Sequence, residues 1–143
     1  MIAKEMIEKL MDEALEAQKF SYSPYSSFQV GAALLSKSNK IYRGCNIENV
    51  AFGPTNCAER TAFFKAVSEG DKEFTAIAIV GNPKGKPREK GDYCSPCGVC
   101  RQVMAEFCKE DFLIILGNNR EDYKVYTLSE ILPLTFTKTE LKA

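Results

Sequence analysis

The spacing of apolar and polar residues predicts a helix followed by a pair of strands in the first third of the chain. Residues 2–19 place an apolar side chain at every third or fourth position, with Lys and Glu between them, which is typical of an amphipathic helix. A loop rich in Ser, Tyr and Pro follows, and residues 28–36 and 40–47 are then predicted as strands. Ser38-Asn39 between these strands supplies a hairpin turn.

The middle of the chain predicts a second helix and a buried strand. Thr55 or Asn56 is placed to cap a helix over residues 57–69, and Gly70 supplies its C-terminal stop. Residues 74–81 form a continuous apolar run, which is typical of a strand that is buried on both faces.

A long loop and a third helix are predicted next. Residues 82–93 are rich in Gly, Pro and Lys and predict the loop. Ser95 is placed to cap the helix, Pro96 suits its first position, and the pattern continues to about Cys108. Three more elements are predicted after it: strands at 112–116 and 123–128 and a helical turn at 129–132.

This order of elements, α-β-β-α-β-α-β-β-α, predicts one α/β domain over residues 1–143. No internal repeat, linker or low-complexity segment interrupts it. An opening hairpin followed by alternating strands and helices is typical of a mixed sheet with helices on both faces. We therefore expect a three-layer α/β/α architecture around a mixed five-stranded sheet.

Charge and hydropathy narrow the classes of partner. The 143 residues include 19 Lys and Arg and 19 Asp and Glu, so the formal net charge is zero, which argues against a nucleic-acid partner. No apolar run approaches the roughly 20 residues that span a bilayer, so no membrane partner is expected. The first residues lead directly into charged helical sequence, which predicts no signal peptide and a cytoplasmic location.

The chain has no histidine, and this absence restricts its chemistry more than any other count. It removes the commonest general base and every His metal ligand. The six cysteines, Cys45, Cys57, Cys94, Cys97, Cys100 and Cys108, are then the candidate ligands. A disulfide framework needs secretion or a very small domain, so metal binding or thiol chemistry is the better interpretation.

Two predicted helix starts carry the chemistry: Cys57-Ala58-Glu59 and Pro96-Cys97-Gly98-Val99-Cys100. Helix N-termini favour thiolate over thiol, and a Cys-x-x-Cys places both sulfurs on one side. With Cys57 they make three ligands, which leaves a fourth position open, as in catalytic zinc sites. One zinc ion per chain is therefore expected, and such an ion lowers the pKa of a bound water towards about 7.

Glu59 is placed to stand beside this metal without binding it. A carboxylate there can take a proton from the activated water and return it to a leaving group. Zinc with three thiolates carries a net charge of −1, which makes its water less acidic. Arg60 is placed to offset that charge by a hydrogen bond to a ligand sulfur.

The spacing alone leaves alternatives open. Cys94 also forms a Cys-x-x-Cys with Cys97, although the helix start favours Cys97 and Cys100 as ligands. The same pair suits a redox dithiol, or a structural zinc module with a fourth protein ligand. Cys45 and Cys108 are expected to be small buried apolar residues.

The two cysteine motifs match the known zinc-site pattern of deaminases, a His- or Cys-x-Glu followed by Pro-Cys-x-x-Cys. On these motifs and three further blocks, the chain resembles the small homotetrameric zinc-dependent cytidine deaminases. The further blocks are Tyr22-Ser23-Pro24-Tyr25-Ser26-Ser27-Phe28-Gln29-Val30-Gly31-Ala32-Ala33-Leu34, Gly44-Cys45-Asn46-Ile47-Glu48-Asn49 and Arg101-Gln102-Val103.

The resemblance implies hydrolytic deamination of cytidine and deoxycytidine at C4, with Glu59 protonating N3 and then the leaving amine. It also implies a nucleoside site in which Asn46 and Glu48 hold the ribose hydroxyls and Phe28 packs against the pyrimidine. The backbone at Ala58, with the Ser95 region, is implied to bind the base edge.

The resemblance further implies a homotetramer with its sites at subunit interfaces. Phe52 and Phe136 are implied to reach a neighbouring subunit's site. Two departures from the family pattern are Phe52, where relatives often have Tyr, and the long basic loop at 82–93. A deaminase of another aminopyrimidine nucleoside, such as a nucleoside antibiotic, is the closest alternative.

Overall fold

The computed structural model describes residues 2–141, so Met1, Lys142 and Ala143 of the predicted domain lie outside the described residues. Its elements, in chain order, are α1 (Lys4–Gln18), β1 (Phe28–Ser36), β2 (Ile41–Cys45), α2 (Ala58–Ser68), β3 (Phe74–Pro83), α3 (Gly98–Phe107), β4 (Leu113–Asn119), β5 (Asp122–Thr127), α4 (Leu128–Ile131) and a 3-10 turn (Lys138–Leu141). The predicted order of helices and strands is confirmed, and the 3-10 turn is an addition to it.

The five strands form one mixed sheet in the order β2-β1-β3-β4-β5. Among the strand pairs formed by residues 2–141, only β3–β4 is parallel, and helix α3 lies in the crossover that a parallel pair requires. The pairs β1–β2, β1–β3 and β4–β5 are antiparallel, and the first and last of these are hairpins. This pairing confirms the predicted mixed five-stranded sheet.

Alternate residues of each strand face two separate apolar cores, which confirms the three layers. In β1, Ala33 and Leu35 pack with α1 residues such as Leu10 on one face. Their neighbours Ala32 and Leu34 pack on the other face with residues of α2 and α3. Since the period of a strand is two residues, the apolar runs at 30–35 in β1 and 76–81 in β3 follow from burial on both faces.

Glycine at position 44 lets helix α2 approach the sheet closely. A Cβ atom on Gly44 would overlap the backbone oxygen of Ala58 and lie 2.5 Å from the backbone nitrogen of Ala62. Helix α2 begins beside this contact, directly after Cys57. Gly44 therefore sets the height at which the Cys57 sulfur and the Glu59 carboxylate stand above the sheet.

Gly44→Ala is expected to lower the free energy of unfolding by about 1–3 kcal/mol, because the added methyl must push α2 away from β2. Urea titration of the two proteins measures this loss. Gly53→Ala is the matched control, since no atom lies within 4 Å of a Cβ built at Gly53. Equal stability of the Gly44 and Gly53 variants would contradict the close approach of α2.

The predicted start of α3 is wrong by two residues. Ser95 does not cap the helix and Pro96 does not occupy its first position; the N-cap is Cys97, and the helix begins at Gly98. The Cys97 sulfur accepts the capping hydrogen bond from the backbone nitrogen of Cys100, at 3.5 Å. A cysteine sulfur performs here the task for which a serine hydroxyl is normally preferred.

The predicted start of α2 and the end of β3 also need correction. Cys57, and not Thr55 or Asn56, occupies the N-cap position of α2. β3 continues to Pro83, two residues into the predicted loop, because β1 pairs with it as far as Phe28. Both corrections arise from tertiary contacts that local sequence patterns do not contain.

Within residues 2–141, no helix is both long and apolar enough to cross a membrane.

Candidate active site

Three cysteine sulfurs meet where the first turns of α2 and α3 face each other. The Sγ atoms of Cys57, Cys97 and Cys100 all lie within 4.8 Å of one another. The distance from Cys97 Sγ is 3.9 Å to Cys57 Sγ and 3.5 Å to Cys100 Sγ. Cys57 and Cys97 are the N-cap residues of their helices, so the positive ends of both helix dipoles point at the cluster.

This cluster has the dimensions of a tetrahedral zinc site. Zn–S bonds of about 2.3 Å in tetrahedral geometry place ligand sulfurs roughly 3.8 Å apart, and the observed separations bracket that value. Among the residues described, the group contains three sulfurs and no fourth acidic or thiol ligand. An open fourth position is typical of catalytic rather than structural zinc.

The other cysteines lie outside the cluster. Cys94 is half-buried and packs against Gly81, where an added Cβ would lie 2.8 Å from its sulfur. Burial raises the pKa of the Cys94 thiol to about 11, which disfavours the thiolate that a metal needs. Cys45 and Cys108 are half-buried, so the expectation that both are buried is wrong.

Arg60 lies against the cluster, as predicted from its position. Its guanidinium donates a hydrogen bond to Cys57 Sγ at 3.3 Å. The neighbouring Cys100 thiol and then Arg60 lower the pKa of Cys57 to about 5, against the effect of burial. The Nε atom of Arg60 is buried and has no hydrogen-bond partner. The ion pair with the Cys57 sulfur compensates for the free-energy cost of burying this N–H group.

Glu59 lies in the first turn of α2 and is only 4% exposed. Burial raises its pKa to about 7, and the nearby Cys57 sulfur adds to this rise. A carboxyl group with a pKa near neutrality can both accept and release a proton at physiological pH. The group is not one of the clustered ligands, which leaves it free for that task.

Asn46 follows β2 directly and is buried. Its Oδ1 accepts hydrogen bonds from Ser21 Oγ at 2.5 Å and from the Val30 backbone nitrogen at 3.0 Å. Its Nδ2 donates to the backbone oxygen of Phe28 at 2.8 Å. The side chain thus joins the end of β2 to β1, and one Nδ2 hydrogen remains for a ligand.

Glu48 lies two residues further on, in the same segment. Its carboxylate accepts hydrogen bonds from the backbone nitrogens of Tyr25 and Ser26, both at 3.0 Å, and from the Ser26 hydroxyl. These bonds lower its pKa and fix the loop that precedes β1. Glu48 and Phe52 line one cleft of about 300 Å³ together with Tyr25, Ser26, Asn49 and Thr55.

The Asn46–Glu48 segment is joined to the start of helix α2 through a short bridge. Ile47 and Asn56 exchange two backbone hydrogen bonds of 2.9 Å, and Cys57 follows directly. Ala58, the first residue of α2, is buried with its carbonyl against Gly44. Its amide N–H, which has no partner within the helix, is therefore the backbone group at Ala58 that can meet a substrate.

The three predicted aromatic residues differ in their surroundings. Phe28 begins β1 and is half-buried beside Gly81. Phe52 is 82% exposed and Phe136 is 60% exposed, so neither is a core residue of its own chain. The structure brings Phe28 and Asn46 together through a hydrogen bond. It places Glu48 and Phe52 in one cleft. Phe136 lies apart in sequence, on the segment that follows α4.

Arg101 and Gln102 are parts of the site to which sequence reasoning assigned no role. Arg101 donates to the backbone oxygens of Pro96, at 2.9 Å, and Ile131, at 2.5 Å. Gln102 donates to the backbone oxygen of Phe136 at 2.8 Å. The first turn of α3, which carries Cys100, is thereby tied to the C-terminal segment. Their place directly after Cys100, in one of the blocks that carry the family resemblance, was the available signal.

Comparison with known proteins identifies the family to which the chain belongs. The family profile "Cytidine and deoxycytidylate deaminase zinc-binding region" matches residues 4–116. A cytidine deaminase of Sporosarcina psychrophila is 49% identical over 135 residues, which cover 94% of each chain. One of Halalkalibacterium halodurans is 50% identical over 134 residues, covering 94% of this chain and 96% of its own.

A solved structure agrees with the sequence comparisons. The crystal structure of cytidine deaminase from Burkholderia pseudomallei superposes with a TM-score of 0.79 at 42% identity, covering 90% of this chain and 97% of that one. Its sheet and helices confirm the predicted fold class, and the zinc-binding profile spans Cys57, Cys97 and Cys100. The chain therefore belongs to the cytidine and deoxycytidylate deaminase zinc-binding family.

Proposed function

We propose that this chain catalyses the zinc-dependent hydrolytic deamination of cytidine and deoxycytidine, giving uridine or deoxyuridine and ammonia. The observation that carries the proposal is a cluster of three cysteine sulfurs with a buried carboxyl group, that of Glu59, two residues after Cys57. Cys57, Cys97 and Cys100 hold the metal, which when bound supplies Lewis-acid activation of a water molecule. Two cytidine deaminases that are 49% and 50% identical to this chain over 94% of its length support the same activity.

Glu59 is the proton shuttle in this proposal. It takes a proton from the attacking water and delivers it to N3 of the pyrimidine. It then takes the second proton of that water from the hydroxyl group formed at C4 and delivers it to the amine, which leaves as ammonia. Burial supports this role, because it raises the pKa of Glu59 to about 7. At neutral pH the group can then accept a proton and donate one with similar ease. Arg60 neutralises part of the charge of the three sulfurs through its bond to Cys57.

The residues at the ends of β1 and β2 would hold the nucleoside. Phe28 packs against the pyrimidine, the Ala58 amide binds the base edge, and Asn46 and Glu48 bind the ribose hydroxyls. The hydrogen bonds that already fix Asn46 and Glu48 support a preorganised site, because their side chains need no ordering when the substrate arrives.

Purified protein is expected to deaminate both cytidine and deoxycytidine and to leave free cytosine largely unchanged, because cytosine lacks the sugar that Asn46 and Glu48 hold. The loss of ultraviolet absorbance on deamination measures each rate, with a cytosine-type nucleoside antibiotic as a fourth substrate. No turnover of the two nucleosides would overturn the proposal. Faster turnover of the antibiotic than of either nucleoside would favour the alternative substrate class.

We further propose a homotetramer in which Phe52 and Phe136 reach the site of a neighbouring subunit. Their large exposed areas support this, as does the exposure of Val50 and Leu134 beside them in sequence. Apolar patches left exposed on a single chain are typical of protein interfaces. The cytoplasmic location and the single-domain organisation over residues 1–143 also stay predictions.

Sedimentation equilibrium is expected to give about four times the 16.0 kDa mass of one chain. Phe52→Glu is expected to shift the protein to smaller species and to lower turnover, because a charge then replaces an apolar interface contact. Lys109→Glu, at an exposed residue just beyond α3, is the control, and it changes the charge by twice as much as Phe52→Glu does. A monomer that retains full turnover would overturn the shared-site proposal.

A further inference from the structure

The long basic loop is held in one place by bonds at both of its ends. We name residues 84–93 the strap. At its start, the Lys84 backbone nitrogen donates to the Ser27 oxygen at 2.7 Å, next to Phe28. At its end, the Tyr93 hydroxyl donates to Asp122 Oδ1 at 2.6 Å. Gly91 N–H also donates to the Asp122 carboxylate, so the strap crosses from the start of β1 to the start of β5.

Arg88, in the middle of the strap, is turned inward. Its guanidinium carbon lies 5.4 Å from the centroid of the Phe28 ring, which is the geometry of a cation–π contact. Its Nε donates to the Gly81 oxygen at 2.7 Å, and its Nη1 pairs with Asp92 Oδ2 at 3.1 Å. The side chain is only 22% exposed, unlike an ordinary solvated loop charge.

The Phe28 ring is thereby confined on two sides. Its edge lies against Gly81, where an added Cβ would come within 3.2 Å of the ring. The guanidinium of Arg88 covers one face, and the backbone of Phe28 is fixed by the Asn46 amide. A ring that is covered on one face can offer only its other face to a substrate base.

We propose that Arg88 is a positioning residue of the pyrimidine site: its guanidinium fixes the Phe28 ring so that the uncovered face is preorganised to stack on the base. This inference rests on the proposed function, because it assigns Phe28 to the substrate. It gives the strap a task in substrate binding rather than in the proton-transfer step. Arg88 touches neither the metal ligands nor Glu59 by any hydrogen bond in the described residues, so its effect passes through Phe28.

The test is the effect of Arg88→Ala on KM and kcat for cytidine, alone and combined with Phe28→Leu. We expect Arg88→Ala to raise KM about fivefold, in line with a partly desolvated cation–π contact, and to leave kcat within about twofold. Arg88→Lys keeps the charge and is expected to restore part of the affinity. Lys86→Ala, an exposed charge of the same strap, is the control and is expected to match the wild type.

The double variant decides whether Arg88 acts through the ring. If it does, Phe28→Leu/Arg88→Ala has about the KM of Phe28→Leu alone; multiplied effects would overturn the proposal. An Arg88→Ala enzyme with unchanged KM, or with reduced kcat only, would also overturn it.

A second double-mutant cycle, measured by urea unfolding, separates this inference from the proposed function. Coupling between Arg88 and Phe28 in stability is expected whether or not the protein turns over cytidine, and its absence would overturn the contact. Failure of the wild type to deaminate cytidine would overturn the proposed function instead. An unchanged KM in Phe28→Leu, with turnover intact, would leave the deaminase proposal standing and overturn the substrate role of Phe28 and Arg88 together.

Discussion

Glu59→Gln is expected to lower kcat for cytidine by about 10²–10⁴-fold while the protein stays folded and retains its metal. The amide has the size of the carboxyl group but cannot accept a proton from water or return one to the pyrimidine. KM is expected to change much less, because Glu59 is not among the groups proposed to hold the sugar. Stopped assays of product formation and zinc analysis on the same preparation measure both quantities.

Stability provides an internal check on this variant. Burial raises the pKa of Glu59 to about 7, so the folded chain prefers the neutral form. The stability that the protonated group contributes is fully present below its unfolded pKa and is lost as the pH rises through about 7. Glutamine is neutral at every pH, so in the metal-free chain the variant is expected to lack this loss and to be at least as stable at pH 8.

Glu106→Gln is the matched control for the acid-to-amide change, because Glu106 is exposed on α3. Its kcat is expected to equal that of the wild type. A Glu59→Gln enzyme with full activity would remove Glu59 from the proton-transfer role. A variant that has lost its zinc would instead show that the carboxylate supports the metal.

Cys100→Ala is expected to lose both zinc and activity, whereas Cys94→Ala is expected to keep about one zinc per chain. Cys100 is 1% exposed within the cluster, and two remaining sulfurs do not form a closed tetrahedral grip. Cys94 belongs to a rival Cys-x-x-Cys, but its sulfur packs against Gly81 outside the cluster. Atomic absorption after gel filtration measures the zinc content.

Chelation of the wild-type protein tests, without a mutation, whether turnover depends on the metal. Removal of zinc is expected to abolish turnover, and its return is expected to restore it, because the three sulfurs lie in place for the ion. Loss of zinc from the Cys94 variant, with retention in the Cys100 variant, would reverse the ligand assignment. Retention in both would point to a metal held elsewhere.

The sequence predicted the fold because the apolar pattern carries most of its information. The run at 74–81 is buried on both faces, as predicted, and Gly70 ends α2 with a φ of +91°. The start of α3 was not predictable by local rules, because a cysteine replaces the usual hydroxyl cap. The last two residues of β3 depend on a partner strand that lies far away in sequence.

The candidate site also has one part that the sequence predicts and one part that it does not. The spacing of Cys57, Cys97 and Cys100 predicts a metal, and the structure brings the three sulfurs together. The contact of Arg88 with Phe28 joins residues that are 60 positions apart, through a loop whose composition suggests only solvent exposure. No periodicity or motif encodes such a contact, since it depends on where the strap is anchored.

The central position of β3 also governs how the chain reaches its native state. The hairpins β1–β2 and β4–β5 close over short turns, whereas β3 must join one strand that precedes it and one that follows α3. The loss of chain entropy from these long closures is compensated only when the whole sheet forms, which makes folding cooperative. Because the three clustered cysteines lie at the starts of the two helices that flank β3 in sequence, a growing polypeptide can bring them together only after most of it has been synthesised.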